Sequence, residues 1–140
     1  MTVPQWALLG FAVWTLLVLF GTVGVYRWSR ILTGRVRISE WQADLPQGSE
    51  WYQRAMRAHM NCVENLPVFA AIVLSATGAG ADSRLLDWLA GTVLVARICQ
   101  TTVHVAFAPS DVAASVRFAF FLMQAICMLA MAGAIAVAAG

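Results

Sequence analysis

The sequence predicts an all-α integral membrane protein, a four-helix bundle with four transmembrane helices in one domain over residues 1–140. Three observations predict it. The chain is 61% hydrophobic and only 11% charged, whereas a soluble domain is about a quarter charged. The apolar residues fall in four blocks, 6–26, 58–77, 85–107 and 112–139, each near the roughly 20 residues that cross a bilayer as a helix. Four such helices leave no length for a second domain.

The first block lacks a basic n-region, is too long for an h-region and is followed by no small-residue cleavage site, so it reads as a span and not a signal peptide. Trp6, Tyr26 and Trp28 stand near its ends as interfacial anchors. WSRILTGRVRISEW carries no proline and is followed by none before Pro46, so helix 1 is expected to run on beyond the bilayer with Gly34 tolerated inside it. QADLPQGSEW reads as the loop that turns into helix 2. Pro67 is expected to kink helix 2 and free a carbonyl for a neighbouring helix to satisfy. TGAGADS is a tight turn with Asp82 or Ser83 to cap helix 3, and FAPSD another with Ser110 or Asp111 to cap helix 4. Ala132, Ala136 and Gly140 on helix 4 have a small-xxx-small spacing suited to close helix contact. Trp41 and Trp51 in the long connection are expected to rest on the membrane surface.

Charge orients the chain. It has nine basic residues, all arginine, and six of them (27, 30, 35, 37, 54 and 57) lie in or beside the first connection. The positive-inside rule puts that connection and the third in the cytoplasm and both termini outside. The net charge of +2 says little about partners, and nothing argues for nucleic acid. Cys62, Cys99 and Cys127 stand one in each of the last three blocks, which gives no disulfide framework and no metal-ligand spacing. They read as small packing residues.

The polar residues inside the blocks are patterned. Positions i, i+4 and i+7 share one helix face. Arg57, Asn61 and Glu64 have that spacing in helix 2, with Arg54 one turn earlier. Arg97, Thr101 and His104 repeat it in helix 3, with Gln100 beside them. On helix 4, Arg117 and Gln124 are seven apart with Phe121 between. By the predicted orientation all three stripes fall in the cytoplasmic half of the bilayer and read as one site. A charge near mid-span costs about 2.5–3.5 kcal/mol on insertion scales, and intramembrane charge is functional by default. Arg97 is roughly 15 Å deep at 1.5 Å per residue, and Glu64 is its expected partner. Arg57, Arg97 and Arg117 then outnumber Glu64, and the surplus guanidinium forks want an anion with carboxylates. Glu64 accepts an ammonium group. A small zwitterion of net negative charge fits, with glutathione, other peptides and acidic metabolites all left open. His59, two residues from Arg57, faces away from the stripe and reads as interfacial.

RAMRAHMNCVENLPVF, residues 54–69, resembles the helix 2 signature of the membrane-associated proteins in eicosanoid and glutathione metabolism. Microsomal glutathione transferases and microsomal leukotriene and prostaglandin synthases belong to that family. Its pattern of arginine, asparagine, glutamate and proline is filled by Arg57, Asn61, Glu64 and Pro67. TGRVR is similar to the end of the family's helix 1, ARICQTTVH to helix 3 and SVRF to the start of helix 4. The resemblance, best to a bacterial microsomal glutathione transferase-like member, implies a homotrimer with glutathione as co-substrate between adjacent subunits. It also implies lipophilic electrophiles or lipid hydroperoxides entering from membrane lipid. It implies that Arg37 reaches a neighbouring subunit's glutathione, that Arg97 stands at the family's arginine, and that Gln100 lies near a position often polar. Arg117 matches the proposed thiol activator. Arg37, Arg57, Asn61, Glu64, Arg97, Gln100 and His104 are thus the expected glutathione contacts and Arg117 the expected catalytic residue. His104 and Phe121 stand where several active relatives have tyrosine.

The implied function is a membrane-bound glutathione transferase, with peroxidase activity as a variant. The competing readings are a non-catalytic lipid-binding protein of the same fold and a small multidrug-type transporter. The positive intramembrane excess disfavours cationic drugs, and stripes confined to half the bilayer disfavour a through-path.

Overall fold

The structure is a computed structural model that describes residues 1–42 and 45–139. Among the described residues four helices are long and apolar enough to cross a membrane: α1 (Val3–Leu32), α2 (Glu50–Gly78), α3 (Arg84–Ala106) and α4 (Asp111–Ala139). α1 meets α2 and α3, and α4 packs chiefly on α3. The core between them is apolar and tightly interlocked. Phe11 and Phe69 meet with ring centroids 5.9 Å apart, and Val73, Val93 and Met131 are fully enclosed around them. Residues such as Leu17, Phe20, Leu74, Val95 and Leu129 point outward, as a lipid-facing surface requires.

The caps resolve the alternatives left by sequence. Ser49 Oγ accepts from the Tyr52 N–H, Ser83 Oγ from that of Leu86 and Ser110 Oγ from that of Ala113. Each satisfies an otherwise orphaned first-turn donor. Pro67 lies within α2, which continues past it to Gly78. Gly140 lies outside the described residues, and so does the completed small-residue spacing on α4.

α1 differs from the expectation in two ways. It contains a π-helical turn, Leu19–Gly24, where the Thr22 hydroxyl donates back to the Val18 carbonyl. Such back-bonding by threonine to the i−4 carbonyl weakens and bends a helix locally. The helix also stops at Leu32 and does not run on through Gly34. Gly34 has φ +70°, its N–H donates to Ile31 O, and the N–H of Arg35 donates to Arg30 O. That 6→1 and 5→2 pair is a Schellman stop, which glycine adopts without the Cβ clash. Gly34→Ala is therefore expected to lower stability by about 1 kcal/mol, read as a reduced Tm and faster amide exchange at 30–35.

The long connection folds back onto the helix ends through aromatic contacts. Tyr26 stacks on Tyr52 at 4.5 Å, Trp41 lies 5.3 Å from Tyr52, and the Arg27 guanidinium sits over Trp41 at 5.4 Å. Trp41 is thus half-buried against the helix ends, with its Nε1 buried. Gly48 completes the fold-back at φ +77°, where a Cβ would come within 2.9 Å of the Tyr52 ring. Tyr26 Oη accepts from the Ser49 N–H at 3.0 Å, which pins the start of α2 to the end of α1.

Candidate functional site

At the end of the bundle where α1 and α3 finish and α2 and α4 begin lies a cavity of about 590 Å³. α2 supplies Arg57, Asn61 and Glu64 from one stripe, α3 supplies His104, and α4 supplies Arg117. The fold-back of the connection brings Gln42, Leu45, Pro46 and Gln47 over it. Gln47 is held in place by its own bonds: its Oε1 accepts from the Gln42 N–H at 2.9 Å and its Nε2 donates to Glu40 O at 3.0 Å. The volume lies within the 300–1,000 Å³ usual for small-molecule sites. Among the described residues two guanidiniums and one carboxylate line it, a set whose chemistry favours a ligand with net negative charge and an ammonium group.

Beneath the cavity is a second polar layer that faces inward. Arg97 is 1% exposed, its guanidinium lies 5.3 Å from the Phe11 ring, and its Nε and Nη2 are buried without a hydrogen-bond partner. Thr101, one turn on, donates to Arg97 O at 2.8 Å and lies 3.5 Å from Cys62 Sγ. Gln124, fully enclosed, donates from Nε2 to Gln100 Oε1 at 3.0 Å and to Phe120 O at 2.8 Å. This amide pair joins α3 to α4 at the level of the inner layer.

A family model described as the MAPEG family matches residues 4–137. The chain belongs to the MAPEG family. It is therefore a multi-pass membrane protein of the glutathione and eicosanoid metabolism family, and the match covers nearly its whole length. Searches of curated proteins and of solved structures gave no match.

The sequence-derived residues of this MAPEG chain divide between the two layers. Arg57, Asn61, Glu64, His104 and Arg117 are gathered around the cavity. Arg97 and Gln100 are not on its wall; they belong to the inner layer. The expected Glu64–Arg97 pair does not form through the two buried guanidinium nitrogens, because Glu64 opens onto the cavity while Arg97 turns towards Phe11. Arg37 is exposed at the start of the 3₁₀ turn Ile38–Glu40, away from this chain's cavity wall. Phe121 is 40% exposed, whereas Gln124, one turn on, is enclosed, so the α4 stripe splits after Arg117. His59 is half-buried beside Thr15 of α1 and is not on the cavity wall.

Tyr52, Gln53, Met56 and Met60 also line the cavity and were not singled out by sequence. Gln53 had a usable signal: 53, 57, 60 and 64 continue the same helix face one turn earlier. Arg54 had been placed there instead, and the structure turns it towards α3 and α4.

Proposed function

We propose that this protein is a membrane-bound, glutathione-dependent transferase, acting as a homotrimer, with the glutathione tripeptide held in the large cavity. The observation that carries the reading is the convergence of Arg57, Glu64 and Arg117, from two helices, on one cavity of about 590 Å³. Arg57 and Asn61 hold a carboxylate end, Glu64 accepts the ammonium group, and Arg37 reaches in from a neighbouring subunit. Arg97 and Gln100 act as positioning residues from the layer beneath. The positive-inside bias places this end of the bundle in the cytoplasm.

A free thiol has a pKa near about 8.5, and the thiolate is the nucleophile. The Arg117 guanidinium, charged at any working pH, stabilises the thiolate in a partly dehydrated site. His104 stands beside it as a hydrogen-bond donor or acceptor. In the transfer, the thiol proton passes to water and sulfur bonds to the electrophilic carbon. The leaving group departs with the electron pair of the broken bond. With a lipid hydroperoxide the thiolate attacks oxygen and releases the alcohol, and a second glutathione converts the sulfenic acid to disulfide and water. Both reactions would detoxify lipophilic compounds from the bilayer.

Titrating purified protein with glutathione while following thiolate absorbance tests this. Saturable binding with a thiolate signal is expected, and Glu64→Gln is expected to weaken binding by about tenfold, the worth of one hydrogen bond to a charged group. Absence of binding overturns the reading. Binding without thiolate favours a non-catalytic member of the fold, a reading supported by Phe121, whose side chain offers no hydroxyl.

A further inference from the structure

A smaller cavity of about 100 Å³ lies where the end of α3 meets the first turn of α4. Arg54, Arg57, Arg117 and His104 line it with Ser110 and Ala113, and among the described residues no carboxylate does. Arg57, His104 and Arg117 are shared with the large cavity, whereas Arg54 faces the small one alone. Three guanidiniums around so small a space concentrate positive potential in it.

Two features mark it as suited to an anion. Arg54 Nε is buried without a hydrogen-bond partner. His104, only 8% exposed, lines both cavities, and no hydrogen bond to the protein engages its ring among the described residues. The first turn of α4 stands beside it, with Ser110, Ala113 and Ala114 on the wall and Ser110 capping the N–H groups of the other two. The volume is several times the roughly 10–15 Å³ needed to admit one water, room for a tetrahedral oxoanion and far too little for a tripeptide. Guanidinium forks match such an ion's oxygens in pairs.

We propose that this small cavity binds an inorganic oxoanion of phosphate size, alongside and separately from the ligand of the large cavity. The small volume favours a free ion over the phosphate of a lipid headgroup, which shares the same chemistry. The proposal stands apart from the glutathione reading, since phosphate is titrated first with no glutathione present.

The test is equilibrium binding of radiolabelled inorganic phosphate to the full chain, purified in phosphate-free detergent. Saturable binding is expected, weakened at least about tenfold in Arg54→Gln by loss of a charge-assisted hydrogen bond. Arg54→Lys, which keeps the charge, retains most of it, and Ala113→Leu abolishes it by filling the cavity. Bound phosphate is expected to persist when glutathione is added. No saturable binding overturns the proposal. So does phosphate that glutathione displaces and that ignores Arg54→Gln and Ala113→Leu, because the ion then sits in the large cavity. Loss of binding in phosphatidylcholine nanodiscs overturns the free ion as occupant and assigns the pocket to a headgroup.

Discussion

Arg117→Ala is expected to lower kcat/KM for conjugating glutathione to a lipophilic aryl halide by about a hundred- to a thousandfold, the usual cost of removing one group that faces reacting charge. Chain geometry brings Arg117 to the cavity wall. Ser110 caps the start of α4, and the second turn of that helix then carries Arg117 into the wall between the two cavities. It is half-buried there, so alanine removes the charge without opening the core around Phe11 and Met131. Arg117→Lys keeps a point charge but loses the planar fork, and activity is expected between that of alanine and wild type. The division between kinetic constants decides the role. A fall carried by kcat, with the thiolate signal lost, makes Arg117 the thiol activator. A rise in KM alone, with kcat unchanged, makes it a binding residue and removes it from the chemistry.

The spans were legible because hydropathy and turn chemistry agree there. The third and fourth blocks, 85–107 and 112–139, match Arg84–Ala106 and Asp111–Ala139 to within a residue. The second block begins at 58, yet α2 begins at Glu50. Its first turns carry Tyr52, Arg54 and Arg57, polar enough to fall outside an apolar window, and are held instead by the Ser49 cap and the Tyr26–Tyr52 stack. The end of helix 1 was missed because Gly34 was read by propensity, when its positive φ made it a stop. At the site, the stripe of Arg57, Asn61 and Glu64 was legible from period alone. The split into two layers was not, because spacing gives a face of one helix and says nothing of what stands opposite. Gln100, three residues from Arg97, turns to Gln124, and Arg97 turns to Phe11. The residues at 42 and 45–47 over the cavity carry no periodicity that would have announced them.

Arg97→Met is expected to raise the stability of the ligand-free protein by about 1–4 kcal/mol, the gain seen when buried ionic groups give way to apolar side chains of similar volume. The opposing terms decide the sign. Enclosing a guanidinium costs several kcal/mol even after relaxation, and here Nε and Nη2 recover none of it through hydrogen bonds. The Phe11 ring at 5.3 Å returns about 2 kcal/mol as a desolvated cation–π contact, which leaves a net cost. Methionine fills the same space between Phe11, Cys62 and Thr101 and is flexible enough to pack it. The measurement is thermal unfolding of both proteins in one detergent without glutathione, with a higher Tm expected for Arg97→Met. A lower Tm would mean that in the assembled protein the two orphan N–H groups meet an acceptor from water, lipid or a second subunit. The inner layer would then be a paired structural element, and the surplus positive charge at this end of the bundle would rest on Arg54, Arg57 and Arg117 alone.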